Sequence, residues 1–206
     1  EQAIFQEQMM FNGVPGTTMG VGGTQWVGPT LILYGTEAQK REHLSPIASG
    51  DRWWCTGYSE PEFGSDLASL QASAVRDGDD YVLNGAKMWI TNGMYGSLYA
   101  ILTKTDPTTK PAHKGMTMFL AERGPGFNID GKLKKLGYRG LESVALSFDD
   151  YHIAADRILG GEEGHGFHHA VGGLELGRIN VAARGVGVAR AALNDAVRYA
   201  QERRTF

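Results

Sequence analysis

Apolar and polar positions along this chain follow two different periods. From Arg52 to about Leu159 the period is two. Leu70-Gln-Ala-Ser-Ala-Val75 and Tyr81-Val-Leu-Asn84 flank Asp77-Gly-Asp-Asp80, which predicts a β-hairpin. Leu98–Thr103, Gly115–Ala121 and Ser143–Phe148 continue the strand pattern, separated by turn clusters such as Asp106-Pro-Thr-Thr109 and Arg123-Gly-Pro-Gly126. On both sides of this stretch the period is helical. Within the Gly-rich segment Glu1–Gly50, Thr36-Glu-Ala-Gln39 predicts a capping box. Leu44, Ile47 and Ala48 are expected on one face of the helix that follows, with Pro46 bending or shortening it and Gly50 ending it. After Gly160-Gly161, apolar residues from Ala170 and Leu174 through Ile179, Val181, Val186 and Leu193 to Val197 recur at helical steps. Gly173, Gly177, Gly185 and Gly187 disfavour that helix in isolation by about 1 kcal/mol each, which calls for close packing against other helices. The fold class is therefore α+β: a central antiparallel β-barrel or sandwich flanked by helical segments.

Composition narrows the function classes. The chain has 206 residues, 42% of them hydrophobic, and a formal net charge of −3, which speaks against a broad nucleic-acid footprint. One cysteine, Cys55, excludes an internal disulfide framework and fits a reducing compartment. No apolar run approaches the roughly 20 residues that span a bilayer, and Glu1-Gln-Ala-Ile-Phe5 does not open a signal peptide. Both termini read as interrupted helices, so the sequence is expected to be a fragment.

The chemistry concentrates between Cys55 and Asn92. A polar turn with Ser59, Glu60, Pro61, Gly64 and Ser65 precedes Lys87-Met-Trp-Ile-Thr-Asn92. Trp89 and Thr91, two apart, share a strand face, placing an aromatic plane beside a hydroxyl. That combination suits a flat heteroaromatic ligand. A core Trp with a solvated Thr, and a purely structural loop, are the plain alternatives.

Ser59-Glu-Pro-x-x-Gly-Ser-Asp66 followed by Asn84-Gly-x-Lys-Met-Trp-Ile-Thr-Asn-Gly93 resembles the flavin-binding β-domain of the acyl-CoA dehydrogenases. The resemblance continues in order through Lys135-Leu-Gly-Tyr-Arg-Gly-Leu-Glu-Ser143, Leu146-Ser-Phe-Asp-Asp150, Leu174-Glu-Leu-Gly-Arg178 and Glu202-Arg-Arg-Thr-Phe206. It departs at Glu62-Phe63, where the family more often has small residues, which bears on the turn near the acyl channel. The resemblance implies the end of an N-terminal helical domain over 1–50, a middle β-domain over 51–160 and the first helix of a C-terminal helical domain over 161–206. It implies FAD as cofactor, an acyl-CoA substrate, electron-transfer flavoprotein or a similar acceptor as partner, and a homo-oligomer, dimer or tetramer. A cytoplasmic or mitochondrial-matrix location follows from the same likeness, with no nucleic acid and no membrane span.

Residue by residue, the resemblance assigns Thr56, Tyr58, Ser59, Gly64 and Ser65 to the lining of the isoalloxazine ring, with Ser59 on its pyrimidine side. Trp89 would pack on the ring, flanked by Ile90, and Thr91 would bond near N5. Ser65, Glu175 and Arg178 would face the CoA portion, and Arg203, Thr205 and Phe206 would reach the FAD of a neighbouring subunit. Family members place the catalytic carboxylate either directly before the Arg matching Arg178 or in the C-terminal helical domain. The first position is Gly177, so the base is expected beyond Phe206 and none within this chain. An inert flavin- or CoA-binding or assembly module, or a plain β-scaffold, are the competing readings.

Weaker signals carry less. His165-x-x-His168-His169 lacks a completing ligand at metal spacing, and Asp77-Gly-Asp-Asp80 lacks the calcium-loop pattern. Gly20-Val-Gly22 and Gly185-Val-Gly187 lack the strand–turn–helix setting of a dinucleotide fingerprint and read as packing glycines.

Overall fold

A computed structural model of the chain describes residues 1–14 and 22–206. Among the described residues, four α-helices and seven β-strands follow one another: α1 Gln2–Phe11, α2 Gly28–Tyr34, α3 Glu37–Ser49, β1 Trp54–Gly57, β2 Ser73–Asp77, β3 Asp80–Thr91, β4 Leu98–Lys104, β5 Met116–Ala121, β6 Phe127–Lys132, β7 Ser143–Ala154 and α4 Gly166–Glu202. Two compact units result, Thr18–Gly173 and Glu1–Thr17 with Leu174–Phe206.

The strands form one sheet in the order β1-β4-β2-β3-β7-β6, with β5 on β4. Most pairs are antiparallel as expected, including the hairpin that pairs Ser73–Asp77 with Asp80–Asn84. The α+β class holds, and the antiparallel sheet expected at its centre is mixed: β1 runs parallel to β4, and Ser73 of β2 pairs in parallel with Lys104. A long connection between Gly57 and Leu98 permits this, since parallel neighbours need a crossover rather than a tight turn.

Strand parity explains two apolar clusters. Leu98, Ala100 and Leu102 of β4 join Met116, Met118 and Leu120 of β5 and pack with Val27, Leu31, Ile47 and Trp54. The intervening Tyr99, Ile101, Phe119 and Ala121 join Tyr81, Leu83, Ile90, Val144 and Leu146 in the other cluster. Side chains two apart share a face, so β4 and β5 are buried on both sides. The first of these clusters ties α2 and α3 to the sheet's compact unit.

Helix α3 carries the expected capping box: Thr36 Oγ1 accepts from Gln39 N at 3.2 Å and Gln39 Oε1 accepts from Thr36 N at 3.1 Å. Its inward face differs from the apolar pattern. Gln39, His43 and Ile47 are buried at four-residue steps, whereas Leu44 is half-buried and Ala48 exposed. Polar groups gain entry by being used. Gln39 Nε2 donates to the Ile158 carbonyl at 2.7 Å, and the His43 ring meets Trp54 edge-on with centroids 5.1 Å apart. Pro46 does not shorten the helix, which continues to Ser49 and closes at Gly50 with φ +80°.

In the smaller unit, α1 lies so close to α4 at Gly187 that an added Cβ would stand 2.3 Å from the Glu7 carbonyl oxygen. The packing role expected of the glycines holds there, while Gly185 faces open space. Gly22 likewise abuts the Trp54 carbonyl; Gly20 and Val21 lie outside the described residues. Ile179, Val181, Val186, Leu193 and Val197 are exposed, so the apolar repeat of α4 is not its buried face within this chain. Among the described residues no helix is long and apolar enough to cross a membrane.

Candidate functional site

The segment after β1 is a short turn held at both ends. Glu60 N donates to the Phe63 carbonyl at 2.8 Å and Phe63 N returns to the Glu60 carbonyl at 3.3 Å, closing Glu60-Pro-Glu-Phe63. Leu67 and Leu70 anchor its far side in the helix-facing cluster. Gly64, Ser65 and Asp66 are left exposed at the tip, while Thr56, Tyr58 and Ser59 are half-buried. Burial pushes the Tyr58 phenol well above its ordinary pKa.

This turn is fastened to β3 by a buried ion pair that sequence reasoning passed over. Glu60 Oε1 lies 2.9 Å from Lys87 Nζ, and the carboxylate also accepts Gln71 N at 2.6 Å and Ala72 N at 2.9 Å. Lys87 Nζ donates further to the Tyr58 carbonyl at 3.2 Å. Desolvation draws the Lys87 ammonium down to about 8, although Glu60 opposes the shift. Met88 N adds a bond to the Ser59 carbonyl at 2.9 Å. Polar residues 27 positions apart give no local signal of pairing; the one available hint was a Lys inside a strand-like run.

Directly after Lys87 the strand breaks its register with β7, between Lys87 and Ile90. Trp89 takes φ +63° there, a left-handed conformation that is uncommon for a bulky residue. Its indole is 55% exposed, Thr91 is half-buried and the intervening Ile90 points into the core. Trp89 and Thr91 are thus the more accessible residues on either side of buried Ile90, with the regular strand alternation interrupted at Trp89. Ile90 is different: its side chain is core, and what it offers outward is backbone.

The strand end is also pinned. Glu142 accepts Met94 N on its carboxylate at 3.0 Å and Asn92 N on its carbonyl at 3.3 Å. Arg123 donates to the carbonyls of Gly93, Met94 and Gly96 and to the Tyr99 hydroxyl, the last at 2.7 Å. Cys55, beneath this turn, is buried and its thiol is pushed up to about 12, which makes it an inert packing group.

The outcome is a rigid frame that presents one aromatic face and several hydroxyls at the surface of the sheet. They suit binding of a planar, polar-edged molecule.

Comparison with known proteins identifies the family. Residues 55–151 match the family model "Acyl-CoA dehydrogenase, middle domain", and 164–206 match "Acyl-CoA dehydrogenase, C-terminal domain". The chain belongs to the acyl-CoA dehydrogenase family. Its relatives include (2S)-methylsuccinyl-CoA dehydrogenase of Cereibacter sphaeroides, 40% identical over 91% of this chain and 36% of that protein. Human mitochondrial short-chain specific acyl-CoA dehydrogenase is 38% identical over 93% of this chain and 46% of its own length. The crystal structure of an acyl-CoA dehydrogenase from Geobacillus kaustophilus superposes with a TM-score of 0.90 at 34% identity, covering 100% of this chain and 54% of that one. The chain spans about half the length, or less, of the relatives it matches.

Within this acyl-CoA dehydrogenase chain the residues singled out from sequence fall into two groups. Thr56, Tyr58, Ser59, Gly64, Ser65, Trp89, Ile90 and Thr91 belong to the sheet's unit. Glu175 and Arg178 are exposed on α4 in the smaller unit. Arg203, Thr205 and Phe206 are exposed beyond the end of α4, with the Arg203 guanidinium 5.9 Å from the centre of the Tyr199 ring. The histidines have packing partners: His168 Nε2 lies 3.2 Å from the Tyr34 hydroxyl, and His169 is buried with its ring 4.6 Å from that of Tyr34. Among the described residues, no group of His, Cys, Asp or Glu side chains gathers to hold a metal ion.

Proposed function

We propose that this chain is the flavin-bearing part of an FAD-dependent acyl-CoA dehydrogenase acting on the α,β-bond of an acyl-CoA thioester. The observation that carries the reading is the Trp89 indole, held out at a register break in a left-handed conformation beside Thr91 and the Ser59 turn. Strain of that kind persists where the surroundings over-determine it, and it collects at ligand sites. When bound, FAD supplies the acceptor for the hydride that leaves the acyl β-carbon. Trp89 packs against the ring, Thr91 and Ser59 bond its polar edge, and Thr56, Tyr58, Gly64 and Ser65 line it, with Ile90 contributing backbone. Ser65, Glu175 and Arg178 face the CoA portion of the substrate.

Position 177 is glycine, so no carboxylate stands directly before Arg178. In this reading the α-proton is removed by a carboxylate outside residues 1–206. Arg203, Thr205 and Phe206 serve the FAD of a neighbouring subunit in a homo-oligomer, and electron-transfer flavoprotein or a similar carrier reoxidises the enzyme. Residues 1–50, 51–160 and 161–206 are taken as the end of an N-terminal helical domain, the middle β-domain and the start of a C-terminal helical domain. A cytoplasmic or matrix location accompanies the assignment.

The same Gly177 favours a second reading, an inert flavin- or CoA-binding or assembly module. One measurement separates the two. Anaerobic addition of an acyl-CoA to the flavin-loaded, full-length protein should bleach the visible flavin band. A band that stays unchanged with every acyl-CoA offered leaves the inert module, and failure to take up FAD at all removes the dehydrogenase reading.

A further inference from the structure

Three bonds lock the Ser59 turn to the strand that carries Trp89, and one of them is a buried ion pair. Lys87 is fully buried and Glu60 is 6% exposed. The Glu60 carboxylate accepts Lys87 Nζ and the Gln71 and Ala72 amides, while the same ammonium reaches the Tyr58 carbonyl. The neighbouring Met88 amide holds the Ser59 carbonyl at 2.9 Å. Segment 58–60 therefore cannot slide along 87–88 without breaking several bonds at once.

Stability alone is a poor reason for charges here. Replacing a buried ion pair by apolar groups of similar volume is often neutral or stabilising, because desolvation offsets the Coulomb attraction. Burial already draws the Lys87 ammonium down to about 8, a sign of how strongly the site opposes the charge. What the pair supplies is direction, since each charged group is held by partners on different segments. Trp89 stands two residues beyond Lys87, at a register break.

We propose that Glu60 and Lys87 are positioning residues that fix the separation between Ser59 and the Trp89–Thr91 edge, and thereby set the width of the flavin-binding slot. The proposal rests on the flavin reading above. It concerns residues that touch each other and the backbone, not the reacting atoms.

The test compares full-length protein with Glu60→Gln, Lys87→Met and the double variant Glu60→Gln/Lys87→Met, reading Tm, FAD affinity and the flavin visible spectrum. Each single variant strands a buried charge and lowers Tm. The double variant removes both charges and recovers most of the loss. FAD binding is expected to behave differently: in the double variant it stays weakened about five- to tenfold, the scale of a misdirected hydrogen bond, and the flavin band is displaced. A double variant with recovered Tm and wild-type affinity and spectrum overturns the clamp while leaving the flavin reading intact. Wild-type protein that takes up no FAD overturns both.

A second measurement covers a double variant that fails to fold. In flavin-free protein labelled with 5-fluorotryptophan, the Trp89 fluorine resonance, assigned by Trp89→Phe, should shift or broaden in Glu60→Gln while the Trp26 resonance stays in place. An unmoved Trp89 resonance in that variant overturns the proposal.

Discussion

At Trp89 an aromatic side chain pays a conformational penalty to stand in solvent. The left-handed backbone costs an L-residue about 1–2 kcal/mol, and the exposed indole recovers little by burial. Removing the ring should therefore affect ligand far more than fold. Trp89→Ala is expected to keep Tm within a few degrees and to weaken FAD binding about 2- to 12-fold, the equivalent of about 0.5–1.5 kcal/mol for an aromatic pair. Fluorescence titration checks this, and equal affinity in the variant would remove Trp89 from the site. An aromatic and a hydroxyl residue flanking a core Ile were legible from Trp-Ile-Thr, because the three are neighbours in sequence. The backbone conformation of Trp89 and the Glu60–Lys87 pair were not, since both arise from contacts with distant segments.

Another residue-scale expectation concerns acid. Burial holds the His169 imidazole down to about 4, with His165 and His168 adding to the shift. An unfolded histidine titrates near 6.5, so between those values the unfolded chain binds more protons than the folded one. The contribution of His169 is full above that upper value and is lost as pH falls towards the lower. His43, also lowered by burial, acts in the same sense. Melting profiles should fall more steeply on acidification for wild type than for His169→Phe; parallel profiles would contradict the assignment.

Elements show how a local pattern and a tertiary use diverge. The cap of α3 was readable because Thr36 and Gln39 are neighbours in the helix start. The inward face was not, because Gln39 and His43 are polar and their acceptance depends on Ile158, Gly160 and Trp54. Gln39 consequently does two jobs: it closes the capping box and bonds the Ile158 carbonyl and the Gly160 amide. Thr36→Ala should cost about 1 kcal/mol, the usual value of an N-cap. Gln39→Ala should cost about 2–3 kcal/mol, since it also strands buried backbone groups. Urea unfolding of the two variants decides the order, and a reversed ranking would show that the tertiary bonds contribute little. Strands β1 and β6 escaped the sequence pattern for a related reason. β1 has only four residues, and β6, with Asn128, Asp130 and Gly131 among its six, has a turn-like composition.

On the scale of the whole molecule, the exposed apolar positions of α4 matter most. Ile179, Val181, Val186, Val188, Leu193 and Val197 stand in solvent on a 37-residue helix. Apolar surface of that extent favours association. Sedimentation velocity of the 206-residue chain should show species larger than a monomer at micromolar concentration, and a single monomer boundary throughout the range would contradict the homo-oligomer assignment. By itself, the sequence determined the periods, the hairpin, the helix cap and the paired motifs that mark the family, because each is written within a few neighbouring residues. Only the tertiary structure decided that β1 runs parallel to β4, that α2 and α3 belong with the sheet, and that Glu60 meets Lys87 beneath the turn. Those outcomes depend on which surfaces find one another once water is excluded, and no local spacing encodes that choice.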